Sequence, residues 1–187
     1  MLKLALFVFA ISTLPAAAHP GHGATDAAAG FLHPLTGLDH VMAMLSVGAW
    51  SALIGGTRIW LWPLAFVSAM VLGGELAHLG VAIPFVEQGI ATSLVVIGVF
   101  LALAVNAPVW SGAALIAAFA LFHGHAHGTE AAGAEWLPYM AGFAAATASL
   151  HLGGISIARG LISAFSAVPV RLIGAASAAT GIALLIT

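Results

Sequence analysis

The sequence predicts an all-α membrane protein, a bundle of six transmembrane helices behind a cleavable signal peptide. Three observations carry that expectation. Of the 187 residues, 62% are hydrophobic and 5% charged, where soluble domains carry about 25% charged residues. The mean hydropathy is +1.14. Apolar stretches recur along the chain at roughly the length of about 20 residues that a bilayer crossing needs, and breaks rich in Gly, Pro and Asn separate them.

Residues 1–18 read as the signal: Lys3 gives a positive start, residues 4–14 an apolar run, and Ala16, Ala17 and Ala18 a small-residue cleavage site. Cleavage would expose His19. The competing reading, an uncleaved first helix, suffers from a run shorter than a span. Residues 19–32 are rich in Gly and Ala without helical periodicity, and are expected to form a flexible periplasmic tail carrying His19 and His22. The transport domain then occupies residues 33–187.

Its six expected spans cover residues 38–56, 59–81, 87–105, 108–122, 136–158 and 168–186. The fourth is short and must continue into the His-rich segment after Phe122 to cross. Trp60, Trp62, Trp110, Trp136 and Tyr139 fall near span ends, where interfacial aromatics belong. Gly73-Gly74 and Gly153-Gly154 would let helices approach closely. Arg58, Arg159 and Arg171 sit in or beside the connections between spans one and two and between five and six, which makes those loops cytoplasmic. Both ends of the mature chain are then periplasmic, in agreement with an exported amino terminus, and the membrane is the bacterial inner membrane.

Composition also excludes. With no Cys there are no disulfides and no thiolate sites. Four basic residues and a net charge of −2 make no nucleic-acid patch. No G-x-x-x-x-G-K-[ST] loop marks a nucleotide site. What stands out instead is nine His and six acidic residues in a hydrocarbon-rich chain. An ionisable side chain at membrane depth costs roughly 2.5–3.5 kcal/mol on insertion scales, so such residues are functional candidates. Imidazole with carboxylate suits a borderline divalent metal ion.

The spacing sharpens this. In the inferred topology every acidic residue lies on the outer side and every Arg on the inner, a field that attracts cations from outside. His123, His127 and Glu130 share one helical face. Glu75 and His78 have the Glu-x-x-His spacing with which bundle metal sites aim two ligands inward. His33 and His40 are seven apart and align if a helix begins by Pro34, unless Gly37 opens that turn. Asp39 either ligates or orients the His40 ring, or caps a helix start. His125 faces elsewhere and is ligand or bystander; His151, toward the cytoplasmic half, is an exit ligand or a structural group. His19 and His22 either collect ions or are inert.

Two of these clusters are also long motifs. The segment His33-Pro34-Leu35-Thr36-Gly37-Leu38-Asp39-His40 resembles the H-x5-D-H signature of the HupE/UreJ family of nickel and cobalt permeases. The segment from Phe122 to Glu130, FHGHAHGTE, is similar to that family's second signature, F-H-G-x-A-H-G-x-E. The resemblance covers essentially the whole chain. It implies secondary uptake of Ni2+ or Co2+ for hydrogenase, urease or cobalamin synthesis, and a role in transport for His33, Asp39, His40, His123, His127 and Glu130. The expectation is therefore a permease, not an enzyme, with no tightly bound cofactor, the metal being its substrate. Two other classes compete. A membrane-embedded His-rich metalloenzyme acting on lipid would need a closed set of about six or more ligands with an open coordination position. A b-type haem protein would use His78 and His151 as axial ligands.

Overall fold

The computed structural model describes residues 27–56, 59–131 and 136–187. The expected signal peptide and the histidines of the expected tail, His19 and His22, lie outside the described residues, as do Arg58 and Glu135. Among the described residues every regular element is a helix: α1 (Ala27–Thr36), α2 (Leu38–Ile54), α3 (Leu61–His78), α4 (Val86–Ala102), α5 (Val109–Glu130), α6 (Trp136–Ala164) and α7 (Val168–Ile186). Helices α3, α5, α6 and α7 are each long and apolar enough to cross a membrane. Together α1 and α2 pass the same test as one broken span, bent by 87°. Helix α4 is apolar but only 17 residues long.

Residues 27–32, read as flexible tail, are the first half of α1. An Ala-rich stretch has high helix propensity but no apolar–polar contrast, so periodicity could not reveal it. Tertiary packing holds it in place: a Cβ on Gly30 would strike the Tyr139 carbonyl, and one on Gly142 the Ala27 carbonyl, so α1 lies backbone to backbone on α6. The helix then breaks at Gly37, which is extended at φ −91° and ψ 119°. Of the two alternatives for this turn, the structure takes the break.

The other helices begin and end where local chemistry directs. Pro63, Pro138 and Pro169 fall in the first turns of α3, α6 and α7, where a missing N–H breaks no helical hydrogen bond. Helix α5 runs on through the His-rich segment to Glu130, as a full crossing required. At the other end of the bundle the Arg171 Nε donates to the Ala102 carbonyl at 2.6 Å, so a cation of α7 satisfies the free carbonyl end of α4.

Helices pair as α3 with α5, α4 with α7, and α2 with α6. Each pair meets at glycines: a Cβ on Gly124 would collide with the Met70 carbonyl, one on Gly48 with the His151 carbonyl, and one on Gly98 with α7 at Gly174 and Ala178. Of the Gly153-Gly154 pair only Gly154 makes such an approach. Trp50, Trp62, Phe66, Met70, Ile116 and Phe143 fill the centre. Trp60 and Trp110 remain exposed at the ends, but Trp62, Trp136 and Tyr139, expected at the interface, are buried. The indole N–H of Trp62 donates to the Val109 carbonyl at 2.8 Å and that of Trp50 to the Val105 carbonyl at 3.0 Å, which is what allows these rings inside.

Candidate metal centre

The bend between α1 and α2 and the end of α5 bring five polar side chains together. Glu130 stands at the centre of the outer group: its Oε2 lies 3.2 Å from His33 Nε2 and 3.0 Å from His127 Nδ1. One ligand atom each of His33, His127 and Glu130 falls within 4.8 Å of the others. His127 and Glu130 meet because they are one helical turn apart, the expected shared face. His33 joins them from a different helix, which the bend at Gly37 makes possible.

A second carboxylate–imidazole pair faces the first. Asp39 Oδ1 lies 2.8 Å from His40 Nδ1. A Cβ on Gly37 would stand 2.8 Å from both of those atoms, so the glycine that breaks the helix also leaves room for the pair. A carboxylate accepts from an imidazole Nδ1–H and thereby leaves Nε2 as a lone pair. Both pairs obey this, and the Nε2 atoms of His40 and His127 point at each other 2.5 Å apart. Two lone pairs this close repel unless they share a proton, and a metal ion, with a bond of about 2.0–2.1 Å to each nitrogen, would sit there only after the two rings part. Carboxylate–histidine pairs converging on one point are the arrangement with which proteins orient metal-bound imidazoles.

Exposure falls steadily along this group. The side chain is 55% exposed at Glu130, 36% at His33, 27% at Asp39, 10% at His40 and 2% at His127. The polar cluster therefore leads from the surface into the bundle. Phe143 and Tyr139 wall it, with the Phe143 ring 4.3 Å from that of His127 and the Tyr139 ring 6.2 Å from that of His33. Asp39 also faces a separate cavity of about 240 Å³ between the starts of α2 and α4 and the end of α7, which it shares with Glu87.

His123 lies deeper and is fully buried, its ring 5.4 Å from that of His40. Ser93 Oγ donates to the Ile90 carbonyl at 2.6 Å, so its oxygen accepts from His123 Nε2 at 3.0 Å. The remaining His123 Nδ1 is then a lone pair, buried and without a hydrogen-bond partner.

Other expected ligands lie elsewhere. Glu75 accepts the Trp136 indole N–H at 2.8 Å, and His78 stacks on the same ring at 5.0 Å and 4°. The pair forms its own group around Trp136. His125 Nε2 lies 2.8 Å from the Val81 carbonyl and so fastens the connection after α3. His151 is buried in α6 against Phe66. Sequence reasoning missed Ser93, Phe66, Phe143 and the space-leaving role of Gly37. A serine or phenylalanine inside an apolar helix carries no signal of its own, because only register between helices shows what it touches.

Comparison with known proteins agrees with the motifs. The family model described as HupE / UreJ protein matches residues 6–184. The chain is similar to the Protein HupE of Rhizobium leguminosarum bv. viciae, 41% identical over 176 residues, which is 90% of this chain and 89% of that one. No solved structure matches.

Proposed function

The chain belongs to the HupE/UreJ family, and we propose that it is a secondary permease that imports a divalent transition-metal ion, Ni2+ or Co2+, across the bacterial inner membrane. The observation that carries this reading is the convergence of His40 and His127, each backed by its own carboxylate, next to the half-exposed His33 and Glu130. An ion would meet Glu130 and His33 first, then exchange water for the Nε2 atoms of His40 and His127. Neutral imidazoles with two carboxylates match a borderline divalent ion. Geometry rather than affinity must then exclude copper, and nickel is favoured by the family.

The proposed topology has six spans after a cleaved signal peptide, with α1 and α2 sharing the first and the metal centre at the periplasmic face. The cytoplasmic side then holds Arg159 and Arg171, in accord with the positive-inside rule. A divalent ion entering a negative interior gains about 4.6 kcal/mol per 100 mV, twice the figure for one charge, so no nucleotide is needed. Delivery to hydrogenase is the use that the family suggests.

Glu75 and His78 belong to the wider proposal as a group beside the path, and His123 as the ligand that receives the ion from His40. Neither competing class gains support: His78 and His151 pack on different aromatic rings rather than facing a shared space for haem. The test is uptake of radioactive nickel by cells expressing the full chain, against His40→Ala and His123→Ala at equal membrane abundance. The expected result is strong loss in both variants; equal uptake in all three would refute the assignment. Repeating the assay with cobalt, zinc and copper identifies the ion.

A further inference from the structure

One buried ionisable residue has no task in the outer centre. His151, in the middle of α6, is 1% exposed, and neither ring nitrogen has a hydrogen-bond partner. Leaving a buried polar group unpaired costs about 1–3 kcal/mol, and native proteins keep few such groups. The Phe66 ring meets it edge-on at 5.0 Å and also packs at 5.5 Å on His123, whose own Nδ1 is unpaired. Close by are two further donors: Thr147, one turn before His151 on α6, donates to the Met70 sulfur at 3.5 Å, and Met70 is one turn beyond Phe66 on α3. Ser46 and Ser51 on α2, whose backbone touches that of His151 at Gly48, are buried with unpaired hydroxyls.

His151 also has a second side. Through carbon atoms alone it borders an apolar cavity of about 310 Å³ that opens to the surface of the bundle among the exposed Trp60, Leu64 and Leu152. Trp60 flanks the connection that contains Arg58, so this cavity lies toward the end of the bundle opposite the outer centre.

We propose that His123 and His151 form a second, internal station for a divalent transition-metal ion in transit, with Phe66 packed against both imidazoles. The proposal rests on the permease reading above and adds a site to it. Neither nitrogen of His151 is committed to a hydrogen bond, so a neutral imidazole offers a lone pair whichever tautomer it adopts. This station has two imidazoles and no carboxylate. It therefore holds a cation less tightly than the outer centre, which suits a site that must accept an ion and then release it. Thr147 and Met70 stand ready as weaker donors during the passage.

The experiment uses the full chain, in detergent for metal binding and in vesicles for influx. His151→Phe keeps a planar aromatic ring and removes both nitrogens. Nickel influx is expected to fall at least about tenfold, while nickel affinity at the outer centre changes by less than about twofold, since the two sites share no side chain. A second variant, His151→Cys, reports position directly, because the chain has no other Cys. Loaded with two equivalents of cobalt, enough to fill the outer centre and then the internal station, it is expected to show a thiolate-to-cobalt charge-transfer band that the unsubstituted protein lacks. Influx within about twofold of the unsubstituted chain in His151→Phe would overturn the internal station. So would a His151→Cys protein that holds two equivalents of cobalt and lacks the band, which would leave proton handling or packing as the role of His151. Failure of the permease reading looks different: the unsubstituted chain in vesicles then moves none of nickel, cobalt, zinc or copper.

Discussion

In the proposed metal centre Asp39 and Glu130 act through the rings they hold. Each accepts an Nδ1–H and so turns the opposite nitrogen of His40 or His127 into a donor for metal. Asp39→Asn preserves size but can present its amide instead of an acceptor, which frees the His40 ring to change tautomer. Nickel uptake is expected to fall about 10- to 100-fold, with the protein still folded; initial rates at matched membrane abundance check this. Glu130→Gln should cost at least as much, because one oxygen of Glu130 serves both His33 and His127. The Glu75 carboxylate gives a useful contrast. Trp136→Phe removes its indole donor while keeping a ring for His78, so it should lower stability by about 1–3 kcal/mol and reduce uptake far less than His127→Ala. Thermal unfolding in detergent, run beside uptake, separates the two effects.

At the scale of elements, the decisive feature is the turn between α1 and α2. Gly37 ends one helix in an extended conformation and leaves the space that Asp39 and His40 occupy. Gly37→Ala is expected to push these two side chains apart and abolish most uptake, although an alanine can adopt that backbone without strain. Normal membrane abundance with lost transport is the expected signature. Glycines between helices behave differently. Gly124→Leu would drive α5 off the Met70 carbonyl of α3, and overpacking of this kind costs typically 1–3 kcal/mol or more. Its expected result is loss of folded protein in the membrane, measured by protease resistance and thermal unfolding. The motif spacing made the partnership of His127 with Glu130 legible, since both lie on one helix. The partnership of His33 with Glu130 was not, because it joins residues far apart in the chain through a bend of 87°.

Among the described residues the polar side chains of the candidate site descend from an exposed mouth to a buried centre, an arrangement by which the proposed permease would draw a cation inward by stages. If the membrane potential drives the ion, collapsing it with an ionophore should reduce the initial rate of nickel uptake, as expected from about 2.3 kcal/mol per charge per 100 mV. Uptake insensitive to the potential would remove that driving force from the account.

Composition and hydropathy by themselves determined that this chain is a helical membrane protein, and its two motifs determined the family. Helical periodicity within a single segment further located the face shared by His123, His127 and Glu130. Only the tertiary structure decided that α1 exists as a helix, that His125 serves a loop, and that Glu75 and His78 gather around Trp136. It also decided that Ser93 and Phe66 belong beside the histidines. The physical reason is that hydrophobicity and helical spacing are local properties of a segment, whereas a ligand set is made by side chains from several helices. Their meeting depends on how closely glycines let backbones approach and on how one short break turns the chain.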